Sequence, residues 1–179
     1  EPRAQQLADR HDAVADRVLD IRMLDQRLVR VLGDLDRLAG GAVLGAVQAL
    51  FFTAVLVLFG ARIDGGFGAV AVLVVCAALL GVGIGGFGVM LGIRTGSSEA
   101  VQGAFPLIFV LMFTSSAFFP RELMTGWYRT VATYNPISWI LEALRDLISI
   151  GWSFRDAAVV IAVSAAVAAL AIALSLRAL

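Results

Sequence analysis

Four long stretches of the chain contain no Asp, Glu, Lys or Arg, and short charged segments separate them. The stretches cover residues 38–61, 65–93, 100–120 and 157–176. Each has about 20 residues or more, and a helix of that length crosses the roughly 30 Å hydrocarbon layer of a bilayer. Because a backbone in lipid must satisfy its own hydrogen bonds, the pattern predicts four transmembrane helices.

Residues 1–37 show a different pattern, in which apolar positions recur every three or four residues among Arg and Asp, with one break at Asp25. The apolar positions are Val14, Val18, Ile21, Leu28, Leu32 and Leu35. This spacing predicts a charged amphipathic helix that forms a domain of its own before the transmembrane domain of residues 38–179. We favour a helix on the cytoplasmic membrane surface, with a short coiled coil as the alternative.

The segment between the last two predicted spans, residues 121–156, holds all three Trp and both Tyr of the chain. Such amphipathic aromatic side chains favour the headgroup level of a bilayer, so the segment is expected at a membrane interface. Asn135 followed by Pro136 predicts a helix start, since Asn is a good N-cap and Pro has no amide to satisfy. The helix that follows is too short and too charged to span; it lies flat or dips in and returns. Its apolar stripe is Ile137, Ile140, Leu141, Leu144 and Ile148.

Composition supports a membrane protein, with 60% hydrophobic residues, 16% charged residues and a net charge of zero. A soluble domain is nearer half apolar and a quarter charged. The predicted fold class is therefore all-α: a polytopic membrane protein with four transmembrane helices, an amphipathic N-terminal helix and short re-entrant or interfacial helices before the last span. Arginine is distributed so that both termini are expected in the cytoplasm.

Glycines in the second span are spaced for close helix packing. Gly81 with Gly85, and Gly88 with Gly92, are small-xxx-small pairs that let another helix backbone approach. Spacing does not say whether the partner helix belongs to this chain or to a second subunit. Gly83, Gly85 and Gly88 also spell a dinucleotide-binding fingerprint, but no strand precedes them, so we reject that interpretation.

Polar groups in the predicted spans are few. Thr114, Ser115 and Ser116 either line a polar path or bond back to their own helix, and the second alternative is favoured. No span contains an ionisable residue, which disfavours a proton-driven carrier. The sequence has no metal-ligand cluster, no nucleophile with a base and no phosphate-binding loop, so it predicts no enzyme, no bound cofactor and no metal site.

A series of short motifs follows in a fixed order along the chain. The motifs are residues 94–103 (RTGSSEAVQG), 105–107 (FPL), 115–120 (SSAFFP), Met124, 126–127 (GW), 135–136 (NP) and 142–146 (EALRD). This series resembles the type-2 ABC transporter permeases, in particular the daunorubicin-resistance branch of multidrug and antibiotic exporters. The likeness covers about residues 42–179. Only four spans are present, so the first two of the family are expected to be missing, and residues 1–38 match the family poorly.

The resemblance implies a plasma-membrane permease of six spans that works as a homo- or heterodimer with a separate cytoplasmic ATPase. ATP with magnesium would bind to that ATPase, and hydrophobic drugs, antibiotics or lipid-like substrates would move outward. The segment 118–150 would form short re-entrant helices that close the outer end of the pathway. We expect the following residues to form this gate: Phe118, Phe119, Pro120, Asn135, Pro136 and Glu142. The alternative is a membrane scaffold or assembly subunit that does not transport.

Overall fold

The computed structural model describes residues 36–178 and three single positions before them, Arg22, Val29 and Gly33. The predicted amphipathic helix of residues 1–37 lies outside the described residues apart from these positions and its last two residues. The regular secondary structure of residues 36–178 is all helical, with turns and loops between the helices and no strand among them. Three of the helices are long and apolar enough to cross a membrane: α1 (Asp36–Leu58), α2 (Gly66–Thr95) and α7 (Phe154–Ala178).

Shorter helices fill the region between α2 and α7. They are α3 (Ser98–Gly103), α4 (Phe105–Phe113), a 3-10 turn (Arg121–Leu123), α5 (Gly126–Tyr134) and α6 (Pro136–Ser149). The start of α6 confirms the prediction from the Asn-Pro pair, since the Asn135 side chain accepts a hydrogen bond from the amide of Ile137.

The predicted third span, residues 100–120, is not one continuous helix. It is divided into α3 and α4, which meet at Ala104, and α4 ends at Phe113. Pro106 explains the division, because its ring cannot donate to a preceding carbonyl and crowds the turn before it. The stretch Ser98–Phe113 is about 24 Å long at the rise of an α-helix, shorter than the hydrocarbon layer. The structure therefore shows three membrane-length helices where the sequence predicts four.

Helices α2 and α7 pack along their whole length through small side chains. The buried positions of α7 recur every three or four residues: Ala157, Val160, Ser164, Ala168, Ala171 and Ser175. They face Gly83 and Gly86 of α2, where an added Cβ would lie 3.2 Å from Val167 and 3.2 Å from Ala171. In lipid, such close approach of backbones supplies van der Waals contact that larger residues would prevent.

Helix α6 joins this pair at one end and completes a buried cluster. Its contributions are Ile140, Ala143, Leu144 and Leu147, packed with Ala69, Val72 and Cys76 of α2 and with Ala157 and Val160 of α7. Two members of the predicted stripe, Ile140 and Leu144, are buried as expected, whereas Ile137 and Ile148 are only half-buried. The stripe is rotated toward Ala143 and Leu147 because α6 lies in the angle between two helices.

Candidate functional site

The face of α6 opposite the buried cluster carries four polar side chains. Asn135, Ser138, Glu142 and Arg145 follow one another at intervals of three, four and three residues, which places them on one side of a helix. We call them the α6 polar face. They contact residues 111–121, the last turn of α4 and the loop that follows it, which we call the α4 end segment.

Asn135 performs two tasks in this contact. Its Oδ1 accepts from the amide of Ile137 at 2.9 Å, which caps α6. Its Nδ2 donates to the carbonyl oxygen of Leu111 at 2.8 Å and lies 3.4 Å from Oγ1 of Thr114. A helix of nine residues leaves its last carbonyls without partners, so Asn135 satisfies one of them and starts α6 at the same time.

Ser116 is the centre of the contact. Its amide donates to Oγ of Ser138 at 3.0 Å, and its own Oγ donates to the Ser138 carbonyl at 3.3 Å. The guanidinium of Arg145 donates to the Ser116 carbonyl at 3.1 Å. Ser116 and Ser138 are both fully buried. The amide, the hydroxyl and the carbonyl of Ser116 are therefore each bonded to α6.

An ion pair joins the far end of the α4 end segment to α6. Arg121 donates to Oε2 of Glu142, and the two side chains are 27% and 22% exposed. The other carboxylate oxygen of Glu142, Oε1, is buried and has no hydrogen-bond partner. Arg121 therefore stabilises the Glu142 carboxylate only in part, because a buried carboxylate oxygen that accepts no hydrogen bond is unfavourable.

Helix α5 also holds the end of α4. The hydroxyl of Tyr128 donates to the carbonyl oxygen of Phe113. The indole Nε1 of Trp139 donates to the Thr133 carbonyl at 2.8 Å, so α5 and α6 are linked to each other as well. Since the carbonyls of Leu111 and Phe113 are both satisfied from outside their helix, α5 and α6 together act as the C-terminal cap of α4.

The aromatic residues predicted for the gate are on the exposed side of the α4 end segment. Phe118 stacks on Phe113 with ring centroids 4.9 Å apart and continues a row of rings along one side of α4, formed with Phe105 and Phe109. Phe118 and Phe119 are more than half exposed, and Pro120 precedes the 3-10 turn. The structure thus brings Asn135, Pro136 and Glu142 together on α6 and places Phe118 on the surface of α4.

The hydroxyls predicted as possible lining of a path are bonded to the backbone. Thr114 donates to the Val110 carbonyl at 2.7 Å, and Ser115 donates to the Met112 carbonyl at 2.6 Å. Ser115 is fully buried, like Ser116. The hydroxyls of Thr114 and Ser115 thus bond back to their own helix, whereas that of Ser116 bonds to α6, and a role of all three in lining a path stays a prediction.

The predicted packing glycines of α2 have different neighbours. A Cβ at Gly81 would overlap the carbonyl oxygen of Gly41 in α1, and one at Gly45 would overlap that of Ala77. At Gly88 and Gly92 the nearest atoms are methyl groups of Val101, at 3.6 and 3.7 Å, while Gly85 is half-buried. Gly81 thus packs against α1 of this chain, and only the first of the two glycine pairs includes a residue that allows no side chain.

Two members of the α6 polar face, Ser138 and Arg145, are absent from the predicted gate. The sequence does indicate these two residues, because their spacing puts them on the same helix face as Asn135 and Glu142, opposite the apolar stripe. For Arg121 and Tyr128 the sequence held no comparable signal. Their partners are set by the fold of residues 114–125, which has no period to follow.

A cavity of about 50 Å³ lies on the other side of α6, between α1, α2 and the loop that joins them. Its lining is apolar except for Arg62 and for Thr53, whose buried hydroxyl has no partner. Binding pockets for drug-sized ligands have about 300–1,000 Å³, so this cavity is too small for one. Residues 36–178 include no group of three or more His, Cys, Asp or Glu that could hold a metal ion.

The comparisons with known proteins agree with the motifs. The profile of the ABC-2 type transporter family matches residues 37–149. The daunorubicin resistance ABC transporter permease protein DrrB1 of Streptomyces coeruleorubidus is 32% identical over 139 residues, which are 76% of this chain and 49% of that protein. The chain thus spans about half the length of this curated relative. No solved structure matches it. With three membrane-length helices and a family match over most of its length, the chain is a multi-pass plasma-membrane protein and belongs to the ABC-2 type transporter family.

Proposed function

We propose that this chain is the permease part of an ATP-driven exporter that moves hydrophobic drugs, antibiotics or lipid-like substrates outward. Family membership supports a transport role, and the relative's name associates that protein with daunorubicin resistance. A separate cytoplasmic subunit would bind ATP with magnesium and hydrolyse it. Because the chain spans about half the length of its relative, the complete transport reaction would require additional polypeptide.

The observation that carries the proposal is the contact between the α6 polar face and the α4 end segment. Side-chain hydrogen bonds and one ion pair hold two apolar elements together there. Each hydrogen bond of this kind contributes about 0.5–1.5 kcal/mol of net stability. A conformational change driven by ATP can supply enough free energy to open such a contact. We assign this contact to the outer gate, with α5 and α6 as its re-entrant helices.

In the topology that this function requires, α3, α4 and the turn up to Pro120 together cross the membrane once, as an interrupted helix. Both termini would then lie in the cytoplasm, and the loop between α2 and α3 would face the ATPase. Helix α4 suits such a place, because its residues are apolar and none of them is buried. An apolar surface of this kind is stable in lipid or against a second permease copy.

The substrate path would run between two permease copies. The small cavity near Thr53 supports this arrangement, since a drug-sized molecule does not fit there. A homodimer or heterodimer would place two α4 helices and their rows of phenylalanine beside a shared path. Hydrophobic substrates fit such a surface, because aromatic rings offer a large apolar area.

The experiment that tests the proposed function is purification of the protein from its native membranes, followed by an ATPase assay with and without hydrophobic drugs. We expect a separate ATPase to co-purify, and its turnover to change when drug is added. Export into sealed vesicles by the same complex would then identify the substrate class. A protein that purifies without any ATPase, and whose loss leaves drug export from cells unchanged, would instead support a scaffold.

A further inference from the structure

We propose that α4 is a lever that pivots near Ala104 and leaves α6 during each transport cycle, and that Ser138 and Arg145 are positioning residues that set its closed position. The inference rests on the proposed function and adds to it the moving element and the residues that release it. Neither Ser138 nor Arg145 would contact substrate; both act through Ser116.

The first argument is that α4 packs little against the rest of this chain. None of its nine residues is buried, and only Ile108 and Met112 are as much as half-buried. By contrast, α2 and α7 each have six or more buried positions. Regions with few buried contacts open more easily than packed ones. Among the described residues, the firm attachments of α4 are its junction with α3 and its end segment.

The second argument is that the two attachments differ in kind. At the junction, Gly103 has no atom within 4 Å of an added Cβ, and Pro106 removes an amide from the turn that would stiffen it. At the other end, Leu111, Phe113 and Ser116 are bonded by side chains of α5 and α6. Within the described residues, the junction is held by backbone hydrogen bonds alone, from Ala104 to Ala100 and from Leu107 to Ala104, so α4 can swing about it as a unit once the side-chain bonds at the other end break.

The third argument is that α6 itself is fixed. Its Ile140 and Leu147 are at most 2% exposed within the buried cluster formed with α2 and α7. The α6 polar face is therefore held by the core on its opposite side, and the α4 end segment is the part that moves. Ser138 and Arg145 both bond Ser116, so they determine where α4 comes to rest.

The test is a reversible cross-link between the two sides of the contact. Ser116→Cys and Ser138→Cys would be introduced together with Cys76→Ala, which removes the chain's own cysteine, and the permease would be reconstituted with its native ATPase. Oxidation should join the α4 end segment to α6 and abolish the export that the double variant shows before oxidation, and reduction of the same sample should return export to that starting level. The single-cysteine variants should be unaffected by oxidation.

A second cross-link is the control. Cys76 of α2 and Ser164 of α7 are both buried, and the cluster around Cys76 includes Val160, one turn before Ser164, so Ser164→Cys alone is the variant chosen for a disulfide between α2 and α7. Since these two helices form one packed unit, this disulfide should leave export at the level of the reduced protein.

The outcomes separate the inference from the proposed function. Continued export by the cross-linked protein would overturn the lever, and so would a pair of cysteines that does not cross-link in the working complex. An unmodified complex that exports nothing would refute the proposed function instead.

Arg145 provides a test that does not depend on a disulfide. Its side chain is exposed, so Arg145→Ala should leave folding intact while it removes the donor to Ser116. Export per ATP hydrolysed should fall in this variant, and Arg145→Lys should recover part of it because Lys keeps a charged donor. A purely structural role would lower export and ATP hydrolysis together, and unchanged coupling in Arg145→Ala would remove Arg145 from the proposal.

Discussion

The contact between α2 and α7 and the contact between α4 and α6 are built in opposite ways. Helices α2 and α7 meet through Gly, Ala, Ser and Val, with backbones close together and van der Waals contact along their length. Helix α4 meets α6 through amide, hydroxyl and guanidinium groups near one end, with its own side chains exposed. The first contact depends on shape and the second on hydrogen-bond geometry.

The difference teaches where each kind of contact is useful. Interdigitated small residues cannot shift without opening a void, so they fix two helices in one arrangement. A few hydrogen bonds can be exchanged for bonds to water at modest net cost. A transporter needs both, a fixed frame and an element that changes position, and this chain separates them in different helices.

The largest effect on the packed helices is expected from Gly81→Leu. A side chain here must pass through the carbonyl oxygen of Gly41, so α1 and α2 can no longer touch, and we expect almost no folded protein. Even a few extra methylene groups in a packed core lower the free energy of unfolding by about 1–3 kcal/mol. The control is Gly40→Ala, where an added Cβ meets nothing within 4 Å. Size-exclusion chromatography after solubilisation measures the result; equal recovery of the two variants would refute the α1–α2 contact.

A cavity in the buried cluster should have the next largest effect. Leu147 is fully buried, and Leu→Ala at such a site lowers the free energy of unfolding by about 2–5 kcal/mol. Leu170 of α7 is 61% exposed, so Leu170→Ala is the matched control, with an expected change of about 0.5 kcal/mol or less. The thermal midpoint in detergent compares them, and similar losses in both would show that Leu147 is not in a core.

On the polar side, Glu142→Ala should reduce export without lowering the amount of protein in the membrane. The substitution leaves Arg121 without its partner. We expect the free energy of unfolding to fall by about 1–3 kcal/mol, because the pair is more buried than a surface ion pair and more exposed than a fully buried one. The closed position of the α4 end segment would be weakened while the packed helices are untouched. Transport assays with quantified membrane levels measure this; normal export would remove Glu142 from the gate.

Two controls sharpen that result. Glu122 is exposed and adjacent to Arg121 in the chain, so Glu122→Ala should export normally. The double variant Arg121→Ala with Glu142→Ala removes both charges, and a smaller loss than the sum of the single losses would demonstrate the coupling of the pair.

The smallest effect is expected from Gly88→Ala. An added Cβ would lie 3.6 Å from Val101, an ordinary contact, and Ala is favoured over Gly inside a helix by roughly 0.5–1 kcal/mol. The thermal midpoint should stay constant or rise slightly. A clear fall would mean that Gly88 faces another backbone, for example in a second permease copy, and that α2 packs on both of its glycine pairs.

Much of the fold could be predicted from residues 36–178 because lipid imposes simple rules. A long stretch without charge must form a helix, and α1, α2 and α7 follow that rule. Asn135 and Pro136 determine the start of α6 by local chemistry alone. The third predicted span is divided into α3 and α4, because absence of charge does not guarantee a continuous helix and Pro106 interrupts this one within an apolar stretch.

The sequence by itself determined that this protein is helical, lies in a membrane and belongs with the ABC-2 type transporters, because hydropathy and motif order are local properties of the chain. Only the tertiary structure decided which glycines admit no side chain, that Ser116 bonds to Ser138 and Arg145, and that Arg121 pairs with Glu142. These contacts join residues about 20 to 40 positions apart. Their partners depend on how α6 lies against α2 and α7, which no spacing within a single segment encodes.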